Sequence, residues 1–134
     1  MDESARIQAF LSDGPFAVAG ASTARHKYGN KVLRCYQQHG LEVYALNPRE
    51  SEVEGAPAAA SLADLPAQVR SLSLVTPPAI SAQVVDEAIE AGVEHLWFQP
   101  GAEDEQAIER AQEAGLSVIA DGACLLVVLG YREG

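Results

Sequence analysis

Five short apolar runs, each closed by turn-forming residues and separated by segments of helical spacing, constrain this chain more than any other feature. They are Phe16-Ala17-Val18-Ala19 before Gly20, Val43-Tyr44-Ala45-Leu46 before Asn47-Pro48, and Leu72-Ser73-Leu74-Val75 before Thr76-Pro77-Pro78. His95-Leu96-Trp97-Phe98 before Gln99-Pro100-Gly101 and Leu116-Ser117-Val118-Ile119-Ala120 before Asp121-Gly122 complete the set. Their length, β-branched and aromatic content and abrupt ends read as buried strands. Between them, apolar residues recur every three or four positions: Val32, Leu33 and Tyr36; Ile80, Val84, Val85, Ala88 and Ile89; Ala107, Ile108 and Ala111. Each of these segments stops at a glycine (Gly40, Gly92, Gly115), as helix C-terminal capping requires. Met1 to Ser12 is expected as a lead-in helix, and Ala123 to Leu129 as a last helix or apolar tail.

Strands alternating with helices imply right-handed crossovers and a parallel sheet covered on both faces. The expectation is therefore a Rossmann-like α/β fold: a doubly wound parallel sheet of about five strands in order 3-2-1-4-5 with helices on both faces. A length of 134 residues suits one domain spanning residues 1–134. Glu50 to Ala60, with Gly55 and Pro57, reads as a surface connection with room for one edge strand.

No apolar run approaches the roughly 18 residues of a membrane span, and the start Met1-Asp2-Glu3-Ser4 is acidic, so membrane and secretory readings are set aside. The two cysteines, Cys35 and Cys124, form no close-spaced pair and sit beside no histidine cluster, so neither a disulfide scaffold nor a structural zinc site is expected. A reducing, cytoplasmic setting follows as the expectation.

Charge locates a ligand. The formal net charge is −10, which excludes nucleic-acid binding through a broad basic surface. Yet from Pro15 to Arg49 five basic residues (Arg25, Lys27, Lys31, Arg34, Arg49) face one acid, Glu42, giving +4 against −14 for the remainder. A small anion would be drawn to that segment. In a doubly wound sheet ligands bind where strand order reverses, here between the first strand and the one ending at Val75.

Helix N-termini carry unpaired N–H groups and partial positive charge. The helix after Pro100-Gly101 answers this with Glu103, Asp104 and Glu105, whereas Gly20 to Gly29 holds no acid and the helix after Val75 none before Asp86. Gly20 would let backbone approach a phosphate, Ser22 and Thr23 could donate from hydroxyls, and Arg25 or Lys27 could supply full charge.

The pattern is not a dinucleotide fingerprint, because Ser22 and Arg25 stand where G-x-G-x-x-G needs its second and third glycines. The second strand ends at Asn47-Pro48-Arg49 instead of at an acid. Arg49 suits a ribose bearing an extra phosphate, which leaves both NADP and coenzyme A (CoA) open.

Taken in order, Phe16–Ser22, Val43–Pro48, Val75–Pro78, Leu96–Ala102 and Val118–Cys124 resemble the CoA-binding domain family. The likeness is to its small stand-alone bacterial members, related in fold to the N-terminal domain of the succinyl-CoA synthetase alpha subunit. It runs from about Gly14 to Leu129.

The resemblance implies a CoA-binding protein without catalysis of its own, acting as sensor, carrier or partner of a CoA-dependent enzyme, with coenzyme A as cofactor. It implies pyrophosphate contacts from Gly20, Ala21, Ser22 and Lys27, and framing of the adenosine and its 3′-phosphate by Asn47, Pro48 and Arg49. Val75, Thr76 and Pro77 would line the path of the pantetheine arm, with Gln99 near its far side. The phosphohistidine domain of the synthetase has no counterpart, so ligase activity is not implied. A homodimer through an exposed sheet edge or helix face is the other partner class considered.

Two further readings compete: an NADP-linked oxidoreductase or redox sensor, and an acyl or disulfide exchange enzyme using Cys124. The apolar run Leu125-Leu126-Val127-Val128 argues for an inert Cys124, and Cys35 reads as packing. His26, His39 and His95 show no metal-ligand spacing and no nucleophile partner. Asp121 before Gly122 reads as a turn residue.

Overall fold

A computed structural model describes residues 2–133. Met1, the first residue of the expected lead-in helix, lies outside them. In chain order the elements are α1 (Glu3–Leu11), β1 (Phe16–Ala19), α2 (Tyr28–Gln38), β2 (Val43–Leu46), β3 (Glu52–Val53) and β4 (Ala56–Ala59). A single 3₁₀ turn (Leu62–Asp64) leads to β5 (Ser71–Leu74), α3 (Pro78–Ala91), β6 (His95–Phe98), α4 (Glu105–Glu113), β7 (Ser117–Ile119) and α5 (Leu125–Leu129). All five expected strands and all the expected helices form.

The strands make one sheet of seven in the order β3-β4-β2-β1-β5-β6-β7. Every neighbouring pair is parallel except β3 with β4. The doubly wound Rossmann-like class stands, but the count of five and the order 3-2-1-4-5 over those five need correction. The strand ending at Leu74 lies beside β1, as the expected switch point between them requires, and the outer place beside β2 belongs to β4 from the Glu50–Ala60 segment. Counted over parallel strands alone, the order is 3-2-1-4-5-6. The extra strands are hard to read because Ala56-Pro57-Ala58-Ala59 has no β-branched residue, and only Ala58 and Ala59 are in register with β2. The antiparallel β3 closes the hairpin through Glu54, which has a positive φ of 52°.

Residues alternate between two cores, one on each face, as the two-residue strand period dictates. Phe16 and Val18 of β1 and Trp97 of β6 join Phe10, Leu33 and Tyr36 beneath α1 and α2. Ala17, Ala19, Leu72, Leu74, Leu96 and Phe98 face α3 and α4 with Val85, Ala88 and Ala107. Trp97 and Phe98 thus fill opposite faces, as adjacent strand positions must. Under α2, β5 presents serines in place of bulky apolar groups: Ser73 Oγ hydrogen-bonds Tyr36 Oη, and Ser71 Oγ donates to the Asp13 carbonyl at 2.7 Å. Among the described residues no helix is long and apolar enough to cross a membrane.

Candidate functional site

The carboxyl ends of β1 and β5 define the switch point, since chain connections leave them toward opposite faces. Gly20 turns the chain there with φ +90°, and a Cβ on it would lie 2.5 Å from the Val75 carbonyl oxygen. Glycine is therefore required by the approach of the two strand ends, whatever binds beside them. At the start of α2, a Cβ on Gly29 would sit 2.0 Å from the Gly20 carbonyl oxygen. The close helix-to-strand packing that a third fingerprint glycine provides is supplied instead by Gly29, a residue that motif matching passed over.

Two cavities of about 360 Å³ each meet at this point, and both are lined by Gly20 and Thr76. One extends past Ala21, Asn47 and Pro48 toward Ile80 and Val84; the other runs along Ser22, Lys27, Tyr28, Val75 and Pro77. A larger depression of about 800 Å³ lies at the opposite end of α2. Two of its polar side chains are turned to the chain's own C-terminal segment, His39 Nε2 to the Gly130 carbonyl at 2.8 Å and Gln38 to the Arg132 backbone, while Tyr131 Oη is buried without a hydrogen-bond partner among the described residues. Size alone does not mark a site, and the chemistry favours the switch point.

The loop between β1 and α2 is held from behind. Ser22 Oγ accepts from Ala24 N–H at 3.1 Å, and Asn30 Nδ2 donates to the Ser22 carbonyl at 2.7 Å. Arg34 Nη2 donates to the Arg25 carbonyl at 2.8 Å, and its Nε to Asn30 Oδ1 at 2.6 Å. The Arg25 side chain pairs with Glu54 on the β3–β4 hairpin at 2.5 Å, and Asn30 Nδ2 also donates to Glu54 at 3.0 Å. These contacts, led by the Asn30 hydrogen bond, hold the Glu54 carboxyl below the usual carboxylate range.

Arg25 therefore faces Glu54 and not the cavities, a distribution the charge count along the chain does not show. Lys27 is the N-cap of α2 with no side-chain capping bond, and Pro77 occupies the same place on α3.

Asn47 shapes the other rim: its Nδ2 donates to the Ala21 carbonyl at 3.0 Å, while its Oδ1 accepts from the N–H groups of Arg49 and Glu50 at 2.8 and 3.0 Å. Arg49 and Thr23 are exposed and line neither cavity. Thr76 Oγ1 hydrogen-bonds Ser81 Oγ at 2.7 Å, fixing the start of α3. Gln99 is fully buried; its Oε1 accepts from Leu125 N–H at 2.8 Å and from Tyr28 Oη at 3.0 Å.

Tyr28 Oη also lies 2.8 Å from Cys124 Sγ. Burial, then the Cys124 contact, pushes the Tyr28 hydroxyl far above its ordinary titration range. Cys124 is partly exposed, with the Tyr28 hydroxyl at its sulfur and its neighbours Ala123, Leu125 and Leu126 in the apolar core. Cys35 is fully buried, and desolvation pushes its thiol up to about 11.

Elsewhere, His95 Nε2 lies 3.1 Å from Asp13 Oδ2, and with Glu94 these offer three ligand atoms within 4.8 Å of one another at the amino end of the sheet. Arg70 already engages Glu94 at 3.5 Å. Asp121 pairs with Arg6 at 3.8 Å, away from a base role.

A family model described as a CoA binding domain matches residues 15–130. The alpha subunit of an ADP-forming acetate–CoA ligase from Pyrococcus furiosus is 28% identical over 121 residues, 82% of this chain but only 26% of the subunit's own length. An uncharacterised Bacillus subtilis protein, YneT, is 27% identical over 105 residues, 78% of each chain. Among solved structures, a conserved hypothetical protein from Pyrococcus furiosus superposes with a TM-score of 0.80 at 40% identity, covering 84% of this chain and 97% of that one. A hypothetical protein from Pyrococcus horikoshii gives 0.87 at 28% identity, covering 95% and 89%. With its sheet order, its glycine-shaped switch point and a match across almost its whole length, this chain belongs to the CoA binding domain family.

Proposed function

We propose that the domain binds coenzyme A across the switch point without catalysing a reaction there, as a sensor, carrier or accessory to a CoA-dependent enzyme. The observation that carries this reading is the pair of cavities meeting at Gly20 and Thr76 in a member of a CoA-binding family. Backbone N–H groups of Gly20, Ala21 and Ser22, with Lys27, receive the pyrophosphate, since amides at a helix entrance and one ammonium suit a diphosphate. Asn47, Pro48 and the rim of α3 take the adenosine, with Arg49 reaching the 3′-phosphate from its exposed position. The pantetheine arm runs past Val75, Thr76 and Pro77 toward Tyr28 and Gln99. Thr23 and Arg25 contribute through the loop backbone, since the Arg25 guanidinium is held by Glu54. A ligase-type partner is suggested by the acetate–CoA ligase subunit, of which this chain spans 26%.

Thermal unfolding with CoA, dephospho-CoA, NADP and NAD tests the reading. A ligand at 100 times its dissociation constant adds about 2.7 kcal/mol of stability. CoA is expected to raise the melting temperature most, and dephospho-CoA less if Arg49 reads the 3′-phosphate. A larger shift with NADP than with CoA would reject the assignment, and equal shifts with CoA and dephospho-CoA would remove Arg49 from it.

A further inference from the structure

Tyr28, Gln99 and Cys124 form a polar cluster joined to the second cavity through Tyr28. Its hydrogen positions follow by elimination. Leu125 N–H donates to Gln99 at 2.8 Å, so the atom it meets must be the amide oxygen. Tyr28 Oη, 3.0 Å from that same oxygen, must then donate its one proton there. The 2.8 Å contact between Tyr28 and Cys124 consequently runs from the thiol to the phenol oxygen. The other arm of the amide, Gln99 Nε2, is buried without a hydrogen-bond partner among the described residues, although the residue is 0% exposed. An orphaned buried donor costs roughly 1–3 kcal/mol, so the cluster has capacity for one more acceptor.

We propose that this cluster is a thiol-exchange site, at which Cys124 takes up the pantetheine end of CoA as a mixed disulfide while Gln99 Nε2 donates to a pantetheine amide carbonyl. The inference rests on the CoA reading above. The co-reactant is a CoA disulfide. The Cys124 thiolate attacks one of its sulfurs; the Cys124–CoA S–S bond forms as the CoA–CoA S–S bond breaks, and the released CoA thiolate takes up the proton that Cys124 lost. Cys124 is oxidised and one CoA is reduced, so electrons and protons balance. As the thiol loses its proton, the Tyr28 hydroxyl can turn from Gln99 and donate to the sulfur, which stabilises the thiolate. Tyr28 stays protonated for that task because burial holds its hydroxyl far above the ordinary range. Cys35, fully buried with its thiol pushed up to about 11, is no competitor.

The test incubates reduced protein with CoA disulfide and, in parallel, with glutathione disulfide, followed by intact-mass spectrometry and peptide mapping. The expected result is one CoA per chain, mapped to Cys124 alone, formed at least about tenfold faster than the glutathione adduct because the CoA moiety is bound first. Cys124→Ser should give no adduct, with its melting curve showing that it is folded. Mapping on the unaltered protein answers the question independently of that variant. The melting shift with reduced CoA under excess reductant tests the binding reading alone. A shift without adduct overturns the exchange site and leaves CoA binding standing, and neither shift nor adduct overturns both. Labelling at Cys35, or equal rates with both disulfides, marks unspecific thiol chemistry and also overturns the proposal.

Discussion

α2 and α4 both begin at the carboxyl edge of the sheet, and they treat the exposed amides of their first turns in opposite ways. At α4, Asp104 Oδ2 accepts from Ala107 N–H at 2.9 Å, Glu105 follows in the first turn, and Glu103 accepts from Gly101 N–H at 2.8 Å. At α2 the N-cap is Lys27, with no capping bond and no acid in the first turn, and α3 begins likewise after Pro77. Where α4 is completed by carboxylates, α2 is packed by glycine against the end of β1, which keeps its amides close to Gly20. The contrast separates a helix end whose charge is balanced within the chain from two ends suited to an anion from outside.

The largest test of the contrast is Gly29→Ala. Its Cβ would meet backbone, the Gly20 carbonyl oxygen, at 2.0 Å, so a loss of about 3 kcal/mol is expected in urea unfolding. A loss under about 1 kcal/mol would show that the close approach is not required. Next, Lys27→Asp gives α2 the device α4 already has. It should stabilise the unliganded protein by about 1 kcal/mol and weaken CoA by at least about tenfold, or 1.4 kcal/mol, in titration calorimetry. Unchanged CoA affinity would break the comparison.

Asp104→Ala is the mirror experiment: about 1 kcal/mol of stability should be lost through the missing cap, with CoA affinity unchanged. The smallest effect concerns Glu54. Its carboxyl is held below the usual range, first by Asn30 and also by Arg25. The stability it contributes is therefore present above the ordinary carboxylate titration and disappears as pH falls through its lowered value. Glu54→Gln should flatten that acid limb by roughly 0.5 kcal/mol or less, measured as melting temperature against pH.

Period and punctuation carried the fold: short apolar runs closed by turn residues marked five of the seven strands, and Gly40, Gly92 and Gly115 marked the ends of α2, α3 and α4. The β3–β4 hairpin was legible only as room for one edge strand, because β3 is two residues long and β4 is alanine-rich, with only backbone register to reveal the pair. The same hairpin delivers Glu54 to Arg25 across 29 positions of sequence, so a charge map drawn along the chain leaves Arg25 free when the fold neutralises it. Acid-free helix starts were legible because capping is local. The union of Tyr28 with Cys124, 96 positions apart, was not, because neither residue carries a motif that names the other. Gly29 was hidden for a related reason: its necessity lies in the Gly20 carbonyl pressed against it.

Amide-resolved NMR during titration with CoA measures the central claim most directly. The account predicts the largest shifts at Gly20, Ala21, Ser22, Tyr28 and Thr76, and none at Glu105, Gln106 and Ala107. Saturable shifts centred on the start of α4, or on the depression at the far end of α2, with Gly20 to Ser22 unmoved, would contradict it.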